Sequence, residues 1–299
     1  MNWINAFELL CYGITALLLA DVVHRRSWKE LRLFCSAALA GFVLELLAVR
    51  VTGIYHYSPS FYINLGFSPY QFPFFGGLMW GGLTVCGLRI AEKLYMGSLM
   101  TAFVTGWLIV SMDLLLDVAA IRLDGGFWVW EGREITLDVN HHMFMSVIWV
   151  NFLGYLFETP AVVYLTLRSR EHEDASAGKT ALITVGIGFA GVVIVGIASG
   201  ISLLLNSITD EWFSCAAFAL LWITILVKLM KQLWRKKLSL KGNKDWPLLF
   251  FWAVMYGYCL AALWSLGIMQ AVPIYGVFAM ILTSGTLLLS AAKNEGETK

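Results

Sequence analysis

Nine runs of predominantly apolar residues recur along this 299-residue chain, at roughly 4–23, 31–49, 72–90, 95–116, 143–167, 181–205, 212–233, 247–266 and 274–292. Each approaches the ~20 residues that a helix needs to cross the hydrocarbon core of a bilayer. Backbone polar groups in lipid must be satisfied within the segment, so runs of this length are read as helices. The fold class expected is all-α: a polytopic transmembrane helical bundle of about nine spans, one transmembrane domain over 1–299. Composition agrees. The chain is 59% hydrophobic and 14% charged, against roughly 45–50% and about 25% in soluble domains.

The positions of the basic residues set an orientation. All of the 21 Lys and Arg residues except Arg50, Arg122 and Arg133 fall on one set of alternate connections. Basic residues accumulate on cytoplasmic loops, so the N-terminus is expected outside and the C-terminus in the cytoplasm. The first run lacks a basic leader and a small-residue cleavage site, and is expected to stay as a helix. A net charge of +1 gives no reason to expect a nucleic-acid partner. The five cysteines stand singly in apolar runs, with no CxxC pair or zinc spacing.

Acidic residues interrupt the apolar pattern in the first five spans only. Glu8, Glu45, Asp113 and Glu158 fall inside four of them, and Asp117 stands at the outer end of the fourth span. A carboxyl at the bilayer centre costs at least ~2.5–3.5 kcal/mol on insertion scales, so it faces a cavity, finds a partner or keeps its proton. The topology puts Glu8, Glu45, Asp113 and Asp117 toward the outer end, where they are expected to converge on one pocket. Asp113 and Asp117 are four residues apart and share a helix face, with Cβ atoms about 5–6 Å apart. Two carboxyls so close in a dry site do not both ionise, and one keeps its proton. Asn151, Gly154, Tyr155 and Glu158 form a stripe at helical spacing on the fifth span, with Glu158 deepest. The acid-bearing part, 1–167, is read as the catalytic half, and 181–292 as apolar supporting helices.

The two long outer connections, 50–71 and 117–142, are dense in aromatics, among them Tyr55, Tyr57, Trp128 and Trp130. They are expected to form a cap on the outer face. His141 and His142 lie near Glu131, Glu134 and Asp138, but adjacent histidines on a helix diverge by about 100°. No metal is expected there, and a solvated loop is the simpler reading. "GIGFAG" at Gly186–Gly191 matches a dinucleotide fingerprint in letters only. It lies mid-span rather than between a strand and a helix, so close helix packing through small residues is expected.

The order of these residues resembles the integral-membrane carotenoid biosynthesis family that includes carotenoid 1,2-hydratases of the bisanhydrobacterioruberin and γ-carotene type. The resemblance runs over about 41–160: Glu45, then "TGIYHY" with Gly53, Tyr55 and Tyr57; Pro73 and Trp80; Asp113 and "LLLD" ending at Asp117; Trp128 and Trp130; and "NFLGY" from Asn151 to Tyr155. Departures are Val118 where the family has proline, "FMSVIWVN" before the span, and Tyr155 for a common tryptophan.

The resemblance implies a lyase that adds water to a terminal double bond of an acyclic carotenoid, without a cofactor. It implies Asp113 and Asp117 as the acid pair with Glu45 assisting. Tyr55, Tyr57, Trp80, Trp128, Trp130, Asn151, Tyr155 and Glu158 become the substrate-binding set. The setting implied is a bacterial or archaeal cytoplasmic membrane, with the polyene, the lipid bilayer and other carotenoid-pathway enzymes as partners. Other readings fit the same acids: a proton-coupled transporter, a non-catalytic membrane scaffold, or a cyclase or isomerase using the same protonation step.

Overall fold

Among the described residues nine helices are long and apolar enough to cross a membrane. They are α1 (Trp3–His24), α2 (Trp28–Val51), α3 (Phe74–Glu92), α4 (Ser98–Ala120), α5 (Trp149–Ser169), α6 (Ala177–Ile208), α7 (Trp212–Arg235), α8 (Trp246–Ser265) and, after the single turn α9 (Ile268–Ala271), α10 (Pro273–Ala291). The computed structural model describes residues 2–169, 176–236, 238–241 and 244–294. Arg170, His172, Lys237 and the segment 295–299 lie outside them. Each expected apolar run holds one long helix, so the chain is a mostly helical integral membrane protein. Helix starts follow local chemistry. Asn2, Ser176 and Asp245 cap α1, α6 and α8 through side-chain oxygens, satisfying backbone N–H groups that have no partner inside the helix. Pro247 and Pro273 occupy first turns, where the missing N–H costs nothing.

The all-helical expectation misses short two-stranded ribbons between the helices. β1 (Tyr55–Tyr57), β2 (Asn64–Leu65) and β3 (Phe72–Pro73) lie between α2 and α3. β4 (Trp128–Trp130), β5 (Met143–Phe144) and β6 (Val147–Ile148) lie between α4 and α5. β7 (Leu238–Ser239) follows α7 and β8 (Lys293–Asn294) follows α10. β1 pairs with β4, β2 with β3, β5 with β6 and β7 with β8, all antiparallel. The β5–β6 hairpin turns through Met145 and Ser146, both at positive φ, and delays the start of α5 to Trp149 rather than 143. Each cross-loop ribbon joins connections that the charge pattern places on one side: β1–β4 at one end of the bundle, β7–β8 at the other.

Helices α3 and α4 form the centre, with 78% of each span buried, against 22% for α6 and α7. Glycine makes this possible. A Cβ on Gly81 of α3 would lie 2.8 Å from the Phe34 carbonyl oxygen of α2. The "GIGFAG" stretch does the same for α6: a Cβ on Gly188 would sit 2.9 Å from Ser36 O, and one on Gly191 would sit 2.5 Å from Val162 Cγ2. The expected close packing is therefore found, against α2 and α5. Helix α8 is more than peripheral support, because it packs on α1, α4 and α10 and carries the fully buried Trp252 and Tyr256.

One end of the bundle is clamped by a buried cation. The Arg89 guanidinium of α3 donates to Glu30 of α2 (2.9 and 2.8 Å), Asp21 of α1 (2.8 Å) and the Asp245 cap of α8 (3.5 Å). The opposite end, which the charge pattern assigns to the outside, is closed by the aromatic loops.

Candidate active site

At that second end a cavity of about 90 Å³ lies beneath the β1–β4 ribbon. The ribbon sets Tyr55 opposite Trp130 and Tyr57 opposite Trp128. Alternation along a strand sends residues i and i+2 to one face, so all four rings meet the chamber. Tyr55 and Trp130 have ring centroids 5.1 Å apart, and Tyr57 and Trp128 5.9 Å. This is the aromatic cap expected from the two outer connections, assembled as a sheet that pairs Tyr55 with Trp130, 75 residues on.

Every wall residue singled out in the sequence comes from four of the six helices that line the chamber. Glu45 projects from α2, Trp80 from α3, Asp113 and Asp117 from α4, and Asn151 and Tyr155 from α5; all line the chamber. Glu45, Asp113 and Asp117 are buried, at 4%, 8% and 1% exposure, so water does not screen them. Glu45 Oε2 accepts hydrogen bonds from both roof phenols, Tyr55 Oη at 2.5 Å and Tyr57 Oη at 2.8 Å. Burial and the adjacent Glu45 carboxyl push both phenols well above the usual tyrosine range, so they stay protonated donors. Asn151 Nδ2 donates to Asp117 Oδ2 at 2.8 Å. Asp113 and Asp117 stand one turn apart on α4 and both line the chamber. Asp113 Oδ2 is buried without a hydrogen-bond donor among the described residues. The acids therefore differ in role: Asp117 is oriented by Asn151, whereas Asp113 keeps an oxygen uncommitted.

Two of the five intramembrane acids stand apart. Glu8 does not line the chamber. Its Oε2 accepts from the Tyr62 backbone N–H (2.6 Å), and its Oε1 accepts from the Ile63 N–H (3.0 Å) and Tyr12 Oη (3.1 Å). It anchors the loop between α2 and α3, so the expected convergence of four acids reduces to three. Glu158 lies one turn beyond Tyr155 and is absent from the chamber lining. It is buried, and both of its oxygens lack a partner among the described residues. The helix stripe put Glu158 deepest, and it lies below the chamber rather than in its lining.

The apolar half of the lining escaped sequence reading. Phe72, Phe75, Met79, Met112 and, from α8, Met255 close the chamber. A phenylalanine or methionine facing a cavity looks the same in sequence as one facing lipid. Phe72, Phe75 and Met79 lie near Pro73 and Met112 adjoins Asp113, whereas Met255 carries no such signal in sequence.

The histidine pair is arranged otherwise than expected. His141 and His142 lie in a turn rather than on a helix, and their rings converge, with centroids 3.8 Å apart. One ligand-capable atom from each, with one from Asp210, falls within 4.8 Å of the others. The 100° divergence argument does not apply to this turn. His141 also stacks on Trp212 at 4.5 Å, and His142 pairs with Glu211 at 3.3 Å. This cluster shares no residue with the chamber.

No curated protein and no solved structure matches this chain. Residues 5–221 match the family model described as "Carotenoid biosynthesis protein". That stretch runs from α1 into α7 and contains every chamber-lining residue except Met255. With most of its length and nearly all of its buried acid chamber inside that match, the chain belongs to the carotenoid biosynthesis protein family.

Proposed function

We propose that the chamber protonates a terminal C=C bond of an acyclic carotenoid and lets water capture the resulting cation. The observation that carries this reading is the placing of Asp113 and Asp117 one turn apart on the chamber wall, with one buried Asp113 oxygen facing no donor among the described residues. In this reading the pair holds one proton, and Asp113 delivers it. The π electrons form the new C–H bond, and positive charge develops on the neighbouring tertiary carbon. The Tyr57, Trp80 and Trp128 faces attract that charge, as does the carboxylate left behind. A water positioned by Glu45 or Asn151 forms the C–O bond, and its proton returns to the aspartate pair. The net change is addition of one water, with no oxidant, reductant or cofactor consumed.

A protonating group held in place contributes typically 10²–10⁴-fold in rate. The polar wall of Glu45, Asp117 and Asn151 beside the acid supports water as the nucleophile. Cyclisation by the same proton would instead need a second double bond of the chain folded onto the cation.

The test is pigment extraction and mass spectrometry from a host making an acyclic carotenoid, with and without this chain. The expected product gains one water. Asp113→Asn and Asp117→Asn each remove a titratable proton at constant size, and each should abolish product while the protein still accumulates in membranes. An unchanged product in both variants overturns the mechanism. A product of equal mass and altered absorption replaces hydration with cyclisation or isomerisation.

A further inference from the structure

A cavity of about 90 Å³ cannot hold a carotenoid, since pockets for much smaller ligands run to ~300–1,000 Å³. If the end group reacts there, the rest of the chain must lie elsewhere. A second cavity of about 460 Å³ adjoins the chamber between α2, α5 and α6. Glu45, Tyr55, Trp130, Asn151 and Tyr155 line both spaces, so they form a shared threshold. Away from this threshold the lining is almost wholly apolar. Its rim carries Leu47 and Val51, which are 47% and 78% exposed. An exposed apolar rim on a membrane-spanning surface faces hydrocarbon.

The wall contributed by α6 sets the small residues Gly196, Ser199 and Gly200 among Val192, Val195 and Leu203. Unlike Gly188 and Gly191 lower on the same helix, Gly196 and Gly200 do not serve helix contact. A Cβ built on either one meets nothing within 4 Å. Their missing side chains leave the groove wide.

We infer that this groove is the lateral entrance and resting site for the shaft of a linear polyene, which slides in from the bilayer between α2 and α6 and passes its end group over the threshold. This rests on the proposed function for the identity of the chain, since a lipid acyl chain would also fit an apolar groove. Two features favour the polyene. The groove is continuous with the acid chamber, and the threshold presents three aromatic rings, Tyr55, Trp130 and Tyr155, to a conjugated π system.

The test plugs the groove without straining the fold. Gly196→Phe and Gly200→Phe place a ring in open space within it. Gly186→Phe and Gly257→Phe serve as controls, because a Cβ at those positions also meets nothing within 4 Å and neither residue lines the groove. The full-length protein is purified from a host making an acyclic carotenoid, and bound pigment per protein is read by absorbance. Wild type and both controls should retain pigment, and each plug should lower it at least about tenfold at equal membrane abundance. Plugs that retain wild-type pigment overturn the inference, as does a wild type that binds none. A wild type that binds pigment through the groove but adds no water refutes hydration alone.

Discussion

Replacing both roof tyrosines by phenylalanine should cost more than the two single changes combined. Tyr55 and Tyr57 donate to the same oxygen, Glu45 Oε2, at 2.5 and 2.8 Å, and that carboxyl is 4% exposed. Either single Phe variant leaves one donor in place. The loss is then one hydrogen bond, about 1–1.5 kcal/mol, or roughly tenfold in product formed per protein, since ~1.4 kcal/mol is a factor of ten. The double variant strips this buried oxygen of both its protein donors. The desolvation penalty of an unsatisfied buried acceptor, ~1–3 kcal/mol, adds to the two lost bonds, for about 3–6 kcal/mol and a loss of roughly 10²–10⁴-fold. The rings themselves remain, so packing of Tyr55 on Trp130 and of Tyr57 on Trp128 is preserved.

The assay is hydrated pigment per unit of membrane protein for the wild type, both singles and the double, analysed as a double-mutant cycle. A double loss equal to the product of the singles refutes the shared-acceptor argument, and so does a wild-type-like single. The phenols also make a pH statement. Both are raised above the usual tyrosine value, so in the fold they keep their protons where an unfolded chain loses them, near pH ~10. Their contribution is complete below that value and disappears only as pH rises through the higher folded value. The phenolate absorbance step near pH ~10 should accordingly have the same size in wild type and in the double Phe variant.

Two further substitutions probe the frame. Gly41→Ala would put a methyl 2.3 Å from Trp80 Cδ1 and 2.8 Å from Trp80 Cβ. It should destabilise by about 1–3 kcal/mol and lower product by displacing a chamber wall; a thermal melt unchanged from wild type would contradict the close approach of α2 and α3. Arg89→Met leaves Glu30, Asp21 and Asp245 without their shared buried cation. A loss of ~3–5 kcal/mol is expected, read as lower thermal stability in detergent, with product per folded molecule unchanged because the cluster lies at the far end from the chamber.

The spans were legible because hydrophobic length is a strong signal, and their alternation followed from the basic residues. The acids Glu45, Asp113 and Asp117 were legible because a carboxyl in lipid demands a reason. The partners of those acids were harder. The pairing of β1 with β4 joins segments distant in sequence through six backbone positions, and three-residue strands leave no periodicity to read. Glu8 looked like a fourth chamber acid because depth along a helix is visible in sequence and facing is not. The small residues of α6 looked alike, yet Gly188 and Gly191 are filled by neighbouring helices while Gly196 and Gly200 face open space. Only the relative placement of three helices tells them apart.

The position of Glu8 has a practical consequence for anyone mapping this protein by mutation. Its carboxylate holds the backbone of Tyr62 and Ile63, in the same connection that supplies Tyr55 and Tyr57 to the ceiling over the acids. A colony screen scored by colour would therefore rank Glu8 beside Asp113, although one braces the architecture and the other would handle the proton. Measuring how much protein survives in each strain, and how easily it melts, is what would sort the scaffolding from the chemistry.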